Sequence, residues 1–325
     1  MRAFLIRLAS WRQVLRCMAT VAPLFVLFVA APYGGGCRRA HETEMACVSI
    51  PPFDGQAALH ECEAFVKLGP KPACGGNAER AALYLRERLT GFGVEAWVDR
   101  FEDAVPGGTG TFRNVIGRIP GDTNRIVIIA AHYDTKTGIS DDFSGANDSG
   151  SGVGAVLVLM KILSGARSGG GAEIQSAFLD GEECQREYGP IDGLHGSRHL
   201  ARALVDSGAA RKVKAFILLD MIGDRDLTVT IPRNGTSGLI SAVLKAAHFE
   251  GVRGRFSLYS GGILDDHQPF LDAGIPAVDL IDFQYGCTPG GNEYWHTPAD
   301  TLDKLDKASL DAVGRVVLRV IAGLE

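Results

Sequence analysis

The seven cysteines of this 325-residue chain include no C-x-x-C pair, which removes the thiolate zinc sites built on that spacing. Positive charge is not in excess either: 33 Lys and Arg stand against 38 Asp and Glu, a formal charge of −5. Without a basic field nothing holds a polyanion, so nucleic acid is not an expected partner. Repeats, linkers and low-complexity stretches are absent after residue 50, which excludes solenoid and fibrous architectures. What is present is an ordinary globular composition, 46% apolar and 22% charged. That suits one large domain or at most two small ones.

The N-terminus is different in kind. Arg2, Arg7, Arg12 and Arg16 precede an apolar run from Val21 to Ala31, and Gly34-Gly35-Gly36 leads into Cys37. The run is short for a bilayer span, so residues 1–37 read as a signal segment, 38–50 as a linker and 51–325 as the catalytic domain. Small residues before Cys37 also resemble a bacterial lipoprotein cleavage box, although Gly34 stands where an aliphatic residue is usual. An exported protein is expected, periplasmic, lipid-anchored or secreted, touching a membrane only through such an anchor. Cys47, Cys62, Cys74, Cys184 and Cys287 follow, an odd set that leaves one thiol over unless Cys37 is retained. Cys184 and Cys287 are placed to meet near a site or to remain unrelated thiols.

Apolar residues fall at helical spacing through "AALHECEAFVKLGP" and "NAERAALYLRERLTGF", with Gly69-Pro70 between them, so a helix pair opens the domain. Strand-like runs follow at "EAWVDRF", "TFRNVIGRI" and "RIVIIAAHYD". The last is continuously apolar, as a strand buried on both faces requires. "EIQSAFLDGEE", "VKAFILLDMIGD" and "IPAVDLID" repeat the design of an apolar run ending in carboxylates, separated by helical stretches such as "SGVGAVLVLMKIL" and "GSRHLARALV". The fold class is therefore α/β, one domain with a mostly parallel twisted central sheet flanked by helices. "TLDKLDKASLDAVGRVVLRVIAGL" predicts an amphipathic last helix, entered at Thr297-Pro298. Ligands of open α/β sheets lie beyond the carboxyl ends of the strands, where these acids converge.

His132, Asp134, Asp148, Glu182, Glu183, Asp220 and His296 sit at strand ends or in glycine-rich loops. Zinc catalysis needs three His or carboxylate ligands with one position open. Each residue also has a plain structural role open to it. Asp148 in "GANDSGSG" fits a helix N-cap; Glu182 and Glu183 fit a solvated pair, although adjacent carboxylates repel unless a cation or proton intervenes; His296 fits a loop histidine. His195, His199, His248 and His267 are read as structural.

The joint pattern resembles the zinc aminopeptidases of metallopeptidase family twenty-eight and, more closely, the animal-type glutaminyl cyclases within that superfamily. It rests on "LGPKPACGGNAE", "AAHYDTK", "GANDSGSG", "FLDGEE", "GLHGSRHLA", "ILLDMIG", "DDHQPFLDAGIPA" and "WHT", in that order from Ala57 onward. The resemblance implies that Asp148, Glu183 and His296 hold zinc and that Glu182 is the general acid/base. His132 and Asp220 are the ligands of a second metal in the two-metal peptidases, with Asp148 bridging, so one zinc is expected and two are possible. Asp134 is implied to orient His132, Asp220 and Asp265 to stabilise a developing ammonium, and Trp295, Tyr188 and Lys136 to contact substrate. The implied substrate is a peptide or protein with a free N-terminus, and a monomer is expected.

Two activities stay open. The loop "ECQREYGPIDGLHG", "GSRHLA", Asp265 leading "DDH", Trp295 before His296 and Lys136 after "HYDT" are similar to the cyclases. "HTPADTLDKLD" and "GANDSGSGVG" are similar to the peptidases, and Tyr188, Gly291 and Asp279 stand where cyclases usually carry Trp, Phe and His. A non-catalytic binding protein on the same fold is a third reading, which retention of Glu182 argues against.

Overall fold

Hydrophobic runs of five to eight residues become the buried parallel strands of the sheet in the computed structural model, which describes residues 50–166 and 171–324. The signal segment and the linker, apart from Ile50, lie outside the described residues. Strands β1 (Glu95–Val105), β2 (Gly108–Ile119), β3 (Ile126–His132), β4 (Glu173–Leu179), β5 (Val213–Asp220) and β8 (Ala277–Ile281) form one six-stranded sheet in the order β1-β2-β4-β3-β5-β8. The four strands β4, β3, β5 and β8 are parallel, and the β1–β2 hairpin joins antiparallel at one edge. Two three-residue strands, β6 (Val229–Ile231) and β7 (Phe256–Leu258), pair separately.

Side-chain alternation gives the sheet two cores. Val127, Ile129 and Ala131 face a large cluster with α1 (Gly55–Val66), α2 (Gly76–Gly91), α3 (Gly152–Ala166), α5 (Ser237–Phe249) and α7 (Lys307–Leu324). Ile126, Ile128 and Ala130 face a smaller one with α4 (His195–Asp206) and α6 (Gln268–Asp272). At about 1.5–3 kcal/mol for each fully buried Val, Leu or Ile, these two layers dominate the stability of the domain. Among the described residues Ala146–Ala166 is long and apolar enough to cross a membrane, but 72% of its apolar window is buried inside the protein. It is the core helix.

Two local features aim the site. Helix α3 begins at Gly152, where a Cβ would lie 2.3 Å from the Leu219 carbonyl oxygen. A residue without Cβ lets the helix start against β5, which carries the preceding Asp148 segment to the strand's carboxyl end. The last helix departs from expectation: it starts at Lys307, not at Thr297-Pro298. Leu302–Lys304 form a separate 3₁₀ turn, and Leu305 is extended and bridges Asp224. The chain needs that bridge to bury Leu305, and Asp306 then accepts from Ala308 N at 2.7 Å to start the helix.

Candidate functional site

Parallel strands end on one edge, so their terminal carboxylates and imidazole meet. In the β3–β4 register His132 lies opposite Leu179, and Asp220 closes β5 next to β3. Glu182 and Glu183 follow β4, Asp148 precedes α3, and His296 enters from the loop after β8. Asp148 does not cap the helix. Its Oδ1 lies 3.0 Å from His132 Nε2 and its Oδ2 lies 3.4 Å from His296 Nε2.

His296 Nε2 is also 2.9 Å from Glu183 Oε1, and His132 Nε2 is 3.5 Å from Asp220 Oδ1. Asp148, Glu183 and His296 thus form one group able to hold a cation, and His132, Asp148 and Asp220 form a second that shares Asp148. Zinc bonds to imidazole and carboxylate run to about 2.1 Å, so tetrahedral ligands sit roughly 3.4 Å from one another. The separations of 2.9 and 3.4 Å around His296 suit that polyhedron. Buried Asp220 Oδ1 completes no hydrogen bond, as an atom reserved for a cation would. The His and carboxylate donor set is one that zinc accepts.

Electrostatics agree with a site built around positive charge. Burial alone would raise the Asp148 carboxyl, but the imidazoles of His132 and His296 outweigh it and hold Asp148 well below the usual range. Burial opposes charge on His296, yet Asp148 and Glu183 raise it to about 9. His132 behaves alike, its burial overcome by Asp134, Asp148 and Asp220. Glu183 is raised by burial and then by Asp148.

Beside this group lies a second set of acids. Glu182 is buried, and its burial followed by the charge of Glu183 pushes its carboxyl far up. Asp265 is raised by burial and then by Asp220, and Asp279 by burial and then by Asp265. The buried oxygens of Asp279 and Asp265 Oδ2 lack hydrogen-bond partners, and His267, read as structural, lies 3.7 Å from Asp279 Oδ2. Buried carboxyls whose ionisation burial and neighbouring acids oppose are therefore packed next to the donor group.

The expected substrate contacts fall in different places. Trp295 stacks on His296 at 4.1 Å between ring centres and meets Phe283 at 5.2 Å. Lys136 turns inward: its Nζ lies 3.2 Å from Glu183 Oε2 and donates to the Cys184 carbonyl at 2.8 Å. Its ammonium is paired with the Glu183 carboxylate. The Tyr188 hydroxyl donates to Glu182 Oε1 at 2.8 Å. Cys184 and Cys287 do not pair; the first contacts Lys136 and the second Tyr294. His195 and His199 are structural as expected, each on an aspartate of β1, Asp103 at 2.8 Å and Asp99 at 3.1 Å.

Several supporting residues escaped sequence reasoning. Asp300 accepts from Asn147 N at 2.8 Å, Asp148 N at 3.1 Å and the Tyr285 hydroxyl at 2.8 Å. Asp134 Oδ1 lies 3.6 Å from His132 Nδ1, beyond hydrogen-bond distance, and its carboxylate instead accepts from Glu182 N at 3.1 Å and Glu183 N at 3.2 Å. Asn147 Oδ1 accepts from Gly223 N at 2.8 Å. The only signal for Asp300 was its position four residues after His296.

A model described as peptidase family M28 matches residues 114–321. The glutaminyl-peptide cyclotransferase of Bos taurus is 30% identical over 254 residues, covering 68% of this chain and 68% of that protein. The crystal structure of an Acidobacteriales bacterium glutaminyl cyclase is 33% identical with a TM-score of 0.79, over 85% of this chain and 96% of that chain. A Zn-dependent exopeptidase from Parabacteroides distasonis is 26% identical with a TM-score of 0.73, over 84% of this chain and 99% of that chain. The chain belongs to peptidase family M28, among its glutaminyl cyclases.

Proposed function

We propose that this protein is an exported, zinc-dependent glutaminyl-peptide cyclotransferase, which converts an N-terminal Gln of a peptide or protein to pyroglutamate and releases ammonia. Asp148, Glu183 and His296 hold the zinc in this reading. When bound, zinc supplies Lewis-acid polarisation of the γ-carboxamide. Everything else falls to the chain's own side chains.

The substrate's α-amine attacks the carbonyl carbon of its own γ-carboxamide, Cδ; the new N–Cδ bond closes the five-membered lactam and the old Cδ–NH₂ bond breaks. Glu182 takes the proton from the attacking amine and returns one to the departing nitrogen, so ammonia leaves and no water is consumed. Asp220 and Asp265 face the cationic nitrogen species that forms between those transfers. Trp295 walls the pocket on one side.

The observation that carries this reading is the buried acid set Glu182, Asp265 and Asp279 beside the donor group, each raised first by burial. A reaction that shuttles a proton between two nitrogens of one substrate uses such groups directly. One observation favours a second reading: Asp148 is shared between two donor groups, as a two-metal aminopeptidase requires. Ammonia release from a Gln-initiated peptide by the protein loaded with one equivalent of zinc, read in a coupled assay, tests the proposal. No ammonia at any zinc loading would overturn it.

A further inference from the structure

Sequence alone makes Tyr188 a wall of the substrate pocket, at a position where cyclases usually carry Trp. In the structure its hydroxyl donates to Glu182 Oε1 at 2.8 Å. We infer that Tyr188 is a positioning residue for the general base, its phenol fixing the rotamer of the Glu182 carboxylate so that Oε2 is left to meet the substrate amine. This rests on the proposed function only for the identity of the nucleophile, because Glu182 is the base in both readings of the site.

The fold spends several contacts on placing that phenol. Asp192 gathers the loop around itself, accepting from Gln185 N at 2.6 Å, Arg186 N at 2.9 Å and Glu187 N at 3.2 Å. Gly189 N and the Asp192 carbonyl close the turn at 2.9 Å. Gly193, at φ +78°, is the seat of the ring: a Cβ there would lie 2.5 Å from Tyr188 Cδ1. Lys136 Nζ stands over the ring, 5.8 Å from its centre. Burial first, and then the negative charge of Glu182, keep the phenol protonated, so it remains a donor throughout the working range. An indole at this position, with its donor set differently, would not reproduce the bond.

The test compares Tyr188→Phe, Tyr188→Trp and Gly193→Ala with the wild-type zinc-loaded protein. A hydrogen bond to a charged group is worth roughly ten- to hundredfold, so Tyr188→Phe is expected to lower kcat by that factor with KM within about twofold. Tyr188→Trp and Gly193→Ala should shift kcat in the same direction, with zinc content and melting temperature unchanged in Tyr188→Phe. In a Glu182→Asp background, where the shorter side chain no longer reaches the phenol, Tyr188→Phe should cost much less. A raised KM at constant kcat, or additive losses in the double variant, would reduce Tyr188 to a pocket wall. If the wild type releases the first residue instead of ammonia, the cyclase reading fails and the same kcat split is read on hydrolysis. Independently of turnover, the Tyr188 phenol band, isolated as wild type minus Tyr188→Phe in infrared spectra, should move when Glu182 becomes Gln; an unmoved band contradicts the hydrogen bond.

Discussion

Asp300 is the residue whose removal separates a scaffold role from chemistry most cleanly. Its carboxylate is buried and is the acceptor for two backbone amides, those of Asn147 and Asp148, and for the Tyr285 hydroxyl. Asp300→Ala strands these three buried donors. At about 1–3 kcal/mol for each unsatisfied buried group, with water entering the vacated space to keep the values low, the loss comes to roughly 3–5 kcal/mol. Against a total stability of about 5–15 kcal/mol the variant still folds, and it should melt roughly 6–15 °C lower. Burial first and Asp148 second push the Asp300 carboxyl up to about 7, so urea unfolding of the metal-free protein belongs at pH 8, where the group is ionised. The Asp148 loop is also freed, and zinc affinity should fall by about ten- to hundredfold, as for other residues that orient ligands. Asp300→Asn keeps one acceptor oxygen but faces an NH₂ toward a backbone N–H, so it should lose less stability than Ala and a comparable factor in zinc affinity. An Asp300→Ala protein that unfolds within 1 kcal/mol of wild type and holds zinc equally well would refute the reasoning.

Three further outcomes follow from other contacts. Lys136→Met removes the cation 3.2 Å from Glu183 Oε2 and should weaken zinc binding by about tenfold, measured by competition with a chromophoric chelator; unchanged affinity would mean the ammonium does not support the ligand. Lys71 is buried, its Nζ donating to the Gly69 and Ser144 carbonyls at 2.9 and 3.0 Å, and burial lowers it from 10.5 to about 8. A depressed lysine adds stability that is full above its unfolded value and lost as pH falls through its folded one. The difference in unfolding free energy between wild type and Lys71→Met should therefore climb from about pH 8 to about pH 10.5, and a flat difference curve would count against a buried, depressed ammonium. Trp295→Ala deletes the ring stacked on His296 and should raise KM at least several-fold, with Trp295→Phe recovering most of it; equal losses in both variants would point away from the stack.

Much of this architecture could be read from the residues. Continuous apolar runs ending in polar residues announce buried parallel strands, and that pattern alone places His132, Glu183 and Asp220 on one edge. Strand order could not be read, since nothing local in "TFRNVIGRI" says that β2 pairs β4 antiparallel while β3 fills the middle. β6 and β7, at three residues each, are too short to show a period. The last helix was misplaced because amphipathic spacing continues through residues 302–304, and what stops it is a bridge from Leu305 to Asp224 across the fold.

The site divides along the same line. Ligand types and spacing mark Asp148, Glu183 and His296, but the direction of a side chain depends on partners far away in sequence. Lys136 turns to Glu183 and Cys184 only because the β3 and β4 loops meet. Asp300 holds the amide of Asp148, 152 positions distant, and no local pattern encodes such a reach. Tyr188 shows the reverse case, where a departure from the expected Trp reads as a loss and the fold turns it into a hydrogen bond on Glu182.

In the proposed reaction Glu182 serves an intramolecular attack by the substrate's own amine. Mass spectrometry of a Gln-initiated and a Leu-initiated peptide, incubated together with zinc-loaded protein and with Glu182→Gln as control, tests it most directly. The Gln peptide alone is expected to change, losing ammonia, and the control to leave both intact. Release of the first residue from the Leu peptide, with the Gln peptide uncyclised, would contradict it and make the protein an aminopeptidase.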